Sequence, residues 1–268
     1  MTYASSVMPE LPEVETAIRR LRPAVTGRTI LGVRTLHSMT RRTLPDEEAA
    51  ALAGRRIVAV ERWAKYQVMQ LDDGSGLEAH FRMAGDWEFG PTTESGALRF
   101  ARAAIDLDDG STVTLTDSRG FATLRRIAPG TAAPARAPDA LDPAFGAAYL
   151  GRVLAGRRQA IKPTLLDQAL IGGIGNIYAS EALWRAQIDP RTSAGRIGAS
   201  RRSRLAPAIV DTLTDAIEQP GRYAEGEATD RLAVYDRAGE PCRRCGRAIV
   251  RLVQAGRSTY YCPGCQRR

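Results

Sequence analysis

The stretch Met8-Pro9-Glu10-Leu11-Pro12-Glu13-Val14-Glu15-Thr16-Ala17-Ile18-Arg19-Arg20-Leu21-Arg22-Pro23 lies near the start of the chain and carries its clearest helical pattern. Leu11, Val14, Ile18 and Leu21 recur at helical spacing and share one face. Glu10, Glu13 and Glu15 crowd the end where a helix dipole is positive, and Arg19, Arg20 and Arg22 the end where it is negative, before Pro23. The pattern predicts a helix over 10–22. By itself, a Pro and a Glu at a helix start are ordinary capping chemistry.

Outward from this helix the period changes from helical to alternating. Residues 29–36, 56–62, 66–71, 77–83, 101–107 and 112–116 alternate or run β-branched, with Asp72-Asp73-Gly74 and Asp108-Asp109-Gly110 as hairpin turns. They predict a mostly antiparallel β domain, a sandwich or a barrel. Residues 128–143 are rich in Ala and carry Pro129, Pro134, Pro138 and Pro143, which reads as a linker. From 145 to 219 the pattern is helical, broken at Gly172-Gly173-Ile174-Gly175.

The chain has 268 residues, 44% of them hydrophobic and 25% charged, which is globular composition with room for two domains. No apolar run reaches the ~18 residues of a membrane span, and MTYASSV lacks the pattern of a secretory signal, so a soluble cytoplasmic protein is expected. The net charge of +8 is unevenly spread. Between Pro241 and Arg268 stand Arg243, Arg244, Arg247, Arg251, Arg257, Arg267 and Arg268 without an acid, leaving +1 for the other 240 residues. Concentrated guanidinium groups point to a polyanion, nucleic acid before membrane.

All four cysteines lie in that basic segment, as Cys242-x2-Cys245 and Cys262-x2-Cys265. Two such pairs suit one tetrahedral ion, and four thiolates leave it no open position, so one structural zinc is expected in preference to two disulfides. Residues 248–253 and 258–261 read as strands of a hairpin whose turn presents Arg257. With only His37 and His80 in the chain, a His-ligated metal is excluded and a Ser-His-Asp triad is disfavoured; His80 reads as a structural histidine in a strand. The Gly173-Ile174-Gly175-Asn176 break opening a helix is either a phosphate-binding helix start or a plain helix–helix turn.

Several separated motifs carry a family resemblance. The opening Met8-to-Thr16 string resembles the start of the formamidopyrimidine-DNA glycosylase and endonuclease VIII family. So do Arg62-Trp63-Ala64-Lys65-Tyr66, His80-Phe81-Arg82-Met83-Ala84-Gly85, Asp117-Ser118-Arg119-Gly120-Phe121, Ala160-Ile161-Lys162-Pro163 and Ile174-Gly175-Asn176-Ile177-Tyr178-Ala179-Ser180-Glu181. Gly239-Glu240-Pro241-Cys242 and Gly256-Arg257-Ser258-Thr259-Tyr260-Tyr261-Cys262 complete the series to the C-terminus.

The resemblance implies an α+β multidomain fold: an N-terminal helix plus antiparallel β-sandwich (8–130), a linker (131–144), a helix-two-turn-helix domain (145–240) and a four-cysteine zinc-ribbon hairpin (241–268), after an extension 1–7. It implies a base-excision repair enzyme acting on damaged double-stranded DNA as a monomer, both glycosylase and AP lyase. Pro9 would be its nucleophile, Glu10 the acid/base and Glu13 a support, with Lys65 and Arg257 in the catalytic set. Met83, Arg119, Phe121, Lys162 and Asn176 would bind DNA: Phe121 as wedge, Arg119 on the orphaned base, Met83 as filler, and Lys65, Asn176 and Arg257 on phosphates. A terminal secondary amine with a pKa of roughly 7.7 is about a sixth unprotonated at neutral pH, so it needs little tuning to attack C1′.

The sequence also departs from the pattern. If Met1 is the start and is retained, Pro9 nitrogen is a tertiary amide and cannot attack, so translation from Met8 followed by Met removal is expected. An intact extension would instead leave a catalytically silent damaged-DNA-binding protein. Gly120 stands where the family often has a second arginine, and Arg82 replaces a small residue before Met83. The connection 220–230 looks shorter than the loop that covers 8-oxoguanine, while Met83, Arg119 and Phe121 favour the oxidised-purine branch over an oxidised-pyrimidine glycosylase.

Overall fold

The computed structural model describes residues 9–92, 99–131, 137–219 and 231–268, in two compact units divided at residue 134. Residues 1–8, part of the expected linker (132–136) and the connection 220–230 lie outside the described residues.

The N-terminal unit contains α1 (Leu11–Val25), β1 (Ile30–Thr35), α2 (Ser38–Thr43), α3 (Asp46–Ala50) and seven further strands: β2 (Ile57–Trp63), β3 (Tyr66–Leu71), β4 (Gly76–His80), β5 (Gly85–Pro91), β6 (Ala101–Leu107), β7 (Ser111–Asp117) and β8 (Thr123–Ile127). They form two four-stranded antiparallel sheets, ordered β1-β6-β7-β5 and β2-β3-β4-β8. One core joins Ile18 and Leu21 of α1 to Met69 and Leu77 of one sheet and Trp87, Ile105 and Leu115 of the other. The Trp87 indole N–H donates to Gln67 Oε1 at 2.7 Å, satisfying in the interior a polar group carried there by a large apolar ring.

Helix α1 starts as its charges predict, with the Glu13 carboxylate accepting the Glu10 N–H at 2.8 Å. Pro23 does not end it. The helix runs to Val25, because proline's fixed φ is helical and the missing N–H costs one hydrogen bond in the last turn, while Val25 is buried. The strand expected over 77–83 stops at His80, whose Nδ1 accepts the Arg82 N–H at 2.9 Å while Arg82 turns to φ 56°. Strands β5 and β8 have no clear sequence signature: β5 holds Gly85, Gly90 and Pro91, and β8 is Thr-Leu-Arg-Arg-Ile.

The C-terminal unit contains α4 (Ala147–Leu154), α5 (Ile161–Leu165), α6 (Asn176–Arg185), α7 (Ala199–Glu218), β9 (Val250–Gln254) and β10 (Arg257–Tyr261). Helix α7 packs on α4 and α6, and α6 also packs on β10, so the hairpin is seated on the helices. The hairpin turns through Ala255 and Gly256, at φ 47° and 74°, as a two-residue turn of primed type requires. Among the described residues, no helix is long and apolar enough to cross a membrane.

Candidate functional site

Pro9 stands at the mouth of α1, half-buried, and Glu10 beside it is only 3% exposed. The helix start is bound to the β2–β3 hairpin: Arg62 Nε donates to Glu15 Oε2 at 2.8 Å, and Arg62 Nη1 to the Ala64 carbonyl at 3.1 Å. Ala64, at φ 56°, and Lys65 form the two-residue turn between paired Trp63 and Tyr66. Lys65 is thus held on a turn anchored to α1, the helix that follows Pro9 and Glu10. Burial opposes ionisation of Glu15, but hydrogen bonds and charge from Arg62, then Arg19, outweigh it and hold the carboxyl below the usual range. The sequence reading missed this anchor because residues 15 and 62 meet only through the fold.

The strand register sets two loops side by side. His80, ending β4, pairs with Thr123, opening β8, while Gly85, opening β5, pairs with Asp117, ending β7. Both connections, 81–84 and 118–122, therefore cross between the sheets at the same place. Met83 lies on the first; Arg119 and Phe121 lie on the second. Phe121 is 45% exposed, and the Arg119 guanidinium lies 5.7 Å from its ring centre. Asp117, 1% exposed, shapes the second loop: its Oδ1 accepts the Arg119 N–H at 2.9 Å, and its Oδ2 accepts those of Phe121 and Ala122, each at 2.7 Å.

In the C-terminal unit Lys162 is not at the surface. It is 1% exposed, and its ammonium donates to Asn176 Oδ1 at 2.6 Å, the Ser258 carbonyl at 2.9 Å and Thr259 Oγ1 at 2.9 Å. The expectation that it binds DNA directly is corrected: a buried ammonium must satisfy its donors internally, and this one joins α5, α6 and β10. The Asn176 amide in turn donates to the Ser258 carbonyl at 3.1 Å and to the Tyr235 hydroxyl at 3.4 Å. Arg257 precedes Ser258 directly, exposed at the hairpin turn. Lys162 and Asn176 therefore grip the residue beside Arg257.

Glu181, the last residue of the 174–181 motif and without a sequence signal of its own, accepts the N–H groups of Ala233, Val234 and Tyr235 at 2.8, 3.0 and 2.8 Å. Burial pushes its carboxyl above the ordinary range, against those three donors and the charge of Arg237. The bonds fix the backbone that carries Tyr235 to Asn176 and, edge-on, to the Tyr260 ring.

The four cysteines converge, with all Sγ atoms within 4.8 Å of one another, Cys242 to Cys265 at 3.9 Å and Cys245 to Cys262 at 3.4 Å. Zinc–sulfur bonds of about 2.3 Å in a tetrahedron demand sulfur separations of roughly 3.8 Å, so the cluster fits the ion. Without a cation, burial and the three neighbouring thiols push Cys265 up to about 12, so four thiolates at this spacing need a dication. The sulfur atoms also receive N–H groups: Arg244 and Trp184 Nε1 donate to Cys242 Sγ, and Cys265 to Cys262 Sγ, each at 3.4 Å. The Trp184 bond ties the ribbon to α6. This is a closed structural zinc site for one ion.

Three family models cover nearly all of the chain. They are the formamidopyrimidine-DNA glycosylase N-terminal domain over 8–124, the formamidopyrimidine-DNA glycosylase H2TH domain over 136–225, and a zinc finger found in FPG and IleRS over 239–268. The chain belongs to the formamidopyrimidine-DNA glycosylase family. Relatives named formamidopyrimidine-DNA glycosylase include that of Chloroflexus aurantiacus, 42% identical over 97% of this chain and 98% of its own, and that of Rhizorhabdus wittichii, 39% identical over 97% and 100%. The Lactococcus lactis formamidopyrimidine-DNA glycosylase bound to DNA with an abasic site superposes with a TM-score of 0.88 at 29% identity, over 97% of this chain and 100% of its own. A MutM complex with DNA containing carbocyclic 8-oxo-G matches with a TM-score of 0.88 at 30% identity over the same shares. For this member of the formamidopyrimidine-DNA glycosylase family, Pro9, Glu10 and Glu13 stand at the start of α1, Lys65 lies on the hairpin turn that Arg62 ties to Glu15 of that helix, and Met83, Arg119 and Phe121 occupy adjoining loops. Lys162 and Asn176 lie behind Arg257.

Proposed function

We propose that this chain is a bifunctional base-excision repair enzyme: a DNA glycosylase that removes oxidised purines, formamidopyrimidines and 8-oxoguanine, from duplex DNA, and an AP lyase that then cleaves the strand by β,δ-elimination. The observation that carries the reading is the register that seats Met83 beside Arg119 and the exposed Phe121 on adjoining loops. An aromatic and a thioether wedge with a guanidinium suit the space left by a flipped base: apolar groups restore stacking, and the guanidinium satisfies the orphaned partner.

In this reading residues 8–130 form the catalytic domain, 145–240 the helix-two-turn-helix domain and 241–268 the zinc finger of a monomeric enzyme. Pro9, as a terminal secondary amine, attacks C1′, and the bond from C1′ to the damaged base breaks. Glu10 moves protons at the sugar ring, and Glu13 holds the backbone of Glu10 in place. The C1′–O4′ bond then opens, O4′ taking a proton from Glu10, and leaves an iminium; this draws electrons from C2′ as a proton leaves, so the C3′–O bond breaks, a second elimination breaks the C5′–O bond, and water then frees the amine. Lys65, Arg257 and the start of α6 at Asn176 contact phosphates and position the strand.

Borohydride trapping on duplexes with an abasic site or 8-oxoguanine tests the reading. Protein started at Met8 and freed of methionine is expected to form a covalent adduct, and protein retaining Met1 is not. Equal trapping by an intact Met1 form would overturn the role of Pro9. A strong preference for thymine glycol over both purine lesions would overturn the substrate class.

A further inference from the structure

The loop from Phe81 to Ala84 carries a residue that the function above leaves unused. Arg82 adopts φ 56°, a left-handed conformation that glycine enters freely and a side chain with a Cβ does not. The backbone is pinned there from both sides: the Arg82 N–H donates to His80 Nδ1 at 2.9 Å, and the Gly85 N–H closes the turn onto the Phe81 carbonyl at 3.1 Å. The side chain is exposed, and among the described residues its guanidinium makes no hydrogen bond or ion pair. A strained backbone that gains no contact inside the protein points to a use outside it.

The adjoining loop shows the complementary feature. Gly120 sits between Arg119 and Phe121 at φ 72°, and a Cβ there would stand 2.9 Å from His37 Cε1. His37 is itself held, its Nδ1 accepting the Met39 N–H at 3.2 Å to cap α2, so it cannot easily yield. The 118–122 loop can therefore present no side chain at position 120. The register that makes the two loops neighbours offers Arg82 as a second exposed cation, besides Arg119, near that gap.

We propose that Arg82 binds a backbone phosphate of duplex DNA next to the lesion, supplying from the 81–84 loop a cationic contact that position 120 of the adjoining loop cannot make. A guanidinium offers five donors in a planar fork that matches phosphate oxygens. The proposal rests on the glycosylase reading and adds one DNA contact to it.

The experiment compares wild type, R82G and R82K binding to a duplex with a tetrahydrofuran abasic analogue between 50 and 200 mM salt. R82G relieves the backbone strain, so its melting temperature is expected to rise while its affinity falls, opposite signs that a purely structural residue would not produce. Loss of one phosphate contact lowers the salt slope by about 0.9, so the affinity gap between wild type and R82G should narrow roughly 3.5-fold across that range. R82K should recover most of the affinity and the slope, and the loss should not depend on the base opposite the lesion. Wild-type affinity and slope in R82G would overturn the proposal. So would a loss that varies with the opposite base at unchanged slope, which would mean a base contact. Failure of the wild type itself to bind the duplex would overturn the glycosylase reading along with it.

Discussion

Replacing Asp117 by Asn tests whether one buried carboxylate organises the loop that carries Arg119 and Phe121. In the wild type its two oxygens accept three backbone N–H groups over 2.7–2.9 Å. An Asn oxygen can keep the two bonds from Phe121 and Ala122, but its NH2 group then meets the Arg119 N–H, donor against donor. Two bonds to a charged acceptor become neutral, a loss of about 1 kcal/mol each, and one donor is left to water or unpaired, about 1 kcal/mol more at this partly exposed site. The expected cost of about 3 kcal/mol corresponds to roughly 6–12 °C in melting temperature for a chain of this size. The functional consequence is selective. Single-turnover excision from a lesion duplex, where the wedge must enter the stack, should slow at least tenfold. Borohydride trapping on a single-stranded abasic oligonucleotide, which needs no base flipping, should be nearly unchanged. A D117N protein that melts within 2 °C of wild type and excises at the wild-type rate would refute the reasoning.

Other outcomes follow from the same structure. K162M should weaken duplex binding on the order of tenfold by loosening the hairpin beneath Arg257, and in an R257M background it should lower the salt slope no further, because the buried ammonium has no phosphate contact of its own to lose; a further fall by one contact in that background would contradict its placement. Elemental analysis should find one zinc per chain, and stripping it with a chelator should abolish duplex binding as the thiolates repel and the ribbon opens. Burial disfavours the Asp189 carboxylate, but hydrogen bonds and charge from Arg191 outweigh it and hold its value below 3.8. Its contribution to stability is therefore complete above pH 3.8 and is lost as pH falls through the lowered folded value. Acid titration of unfolding should show the difference between wild type and R191M constant above that pH and shrinking below it.

Much of the site was legible in the residues, and the limits were physical. The cysteine pairs announce their ion because C-x2-C is a local geometry. The start of α1 is legible because dipole, capping and apolar spacing all act within one turn. The 66–71 and 101–107 strands and the Asp-Asp-Gly turns could be read because alternation and turn chemistry are short-range. Strands β5 and β8 could not, since their places depend on partners far along the chain rather than on their own composition. Lys162 reads as a DNA-binding cation in one dimension, and only packing of α5 against α6 and β10 turns it inward. Asp117 and Glu181 give no sign in the sequence of the three N–H groups each collects.

The sequence by itself determined the kind of chemistry available: a proline and two glutamates at a helix start, four thiolates for one zinc ion, and a surplus of arginine on the ribbon that carries them. Those properties reside in residue types and short spacings. The tertiary structure alone decided which side chains face outward and which face the protein. It made the 81–84 and 118–122 loops neighbours through the pairings of His80 with Thr123 and Gly85 with Asp117, and it buried Lys162 while leaving Arg82 and Arg257 exposed. The reason is that burial and register are set by contacts between residues distant in the chain, which no local pattern encodes.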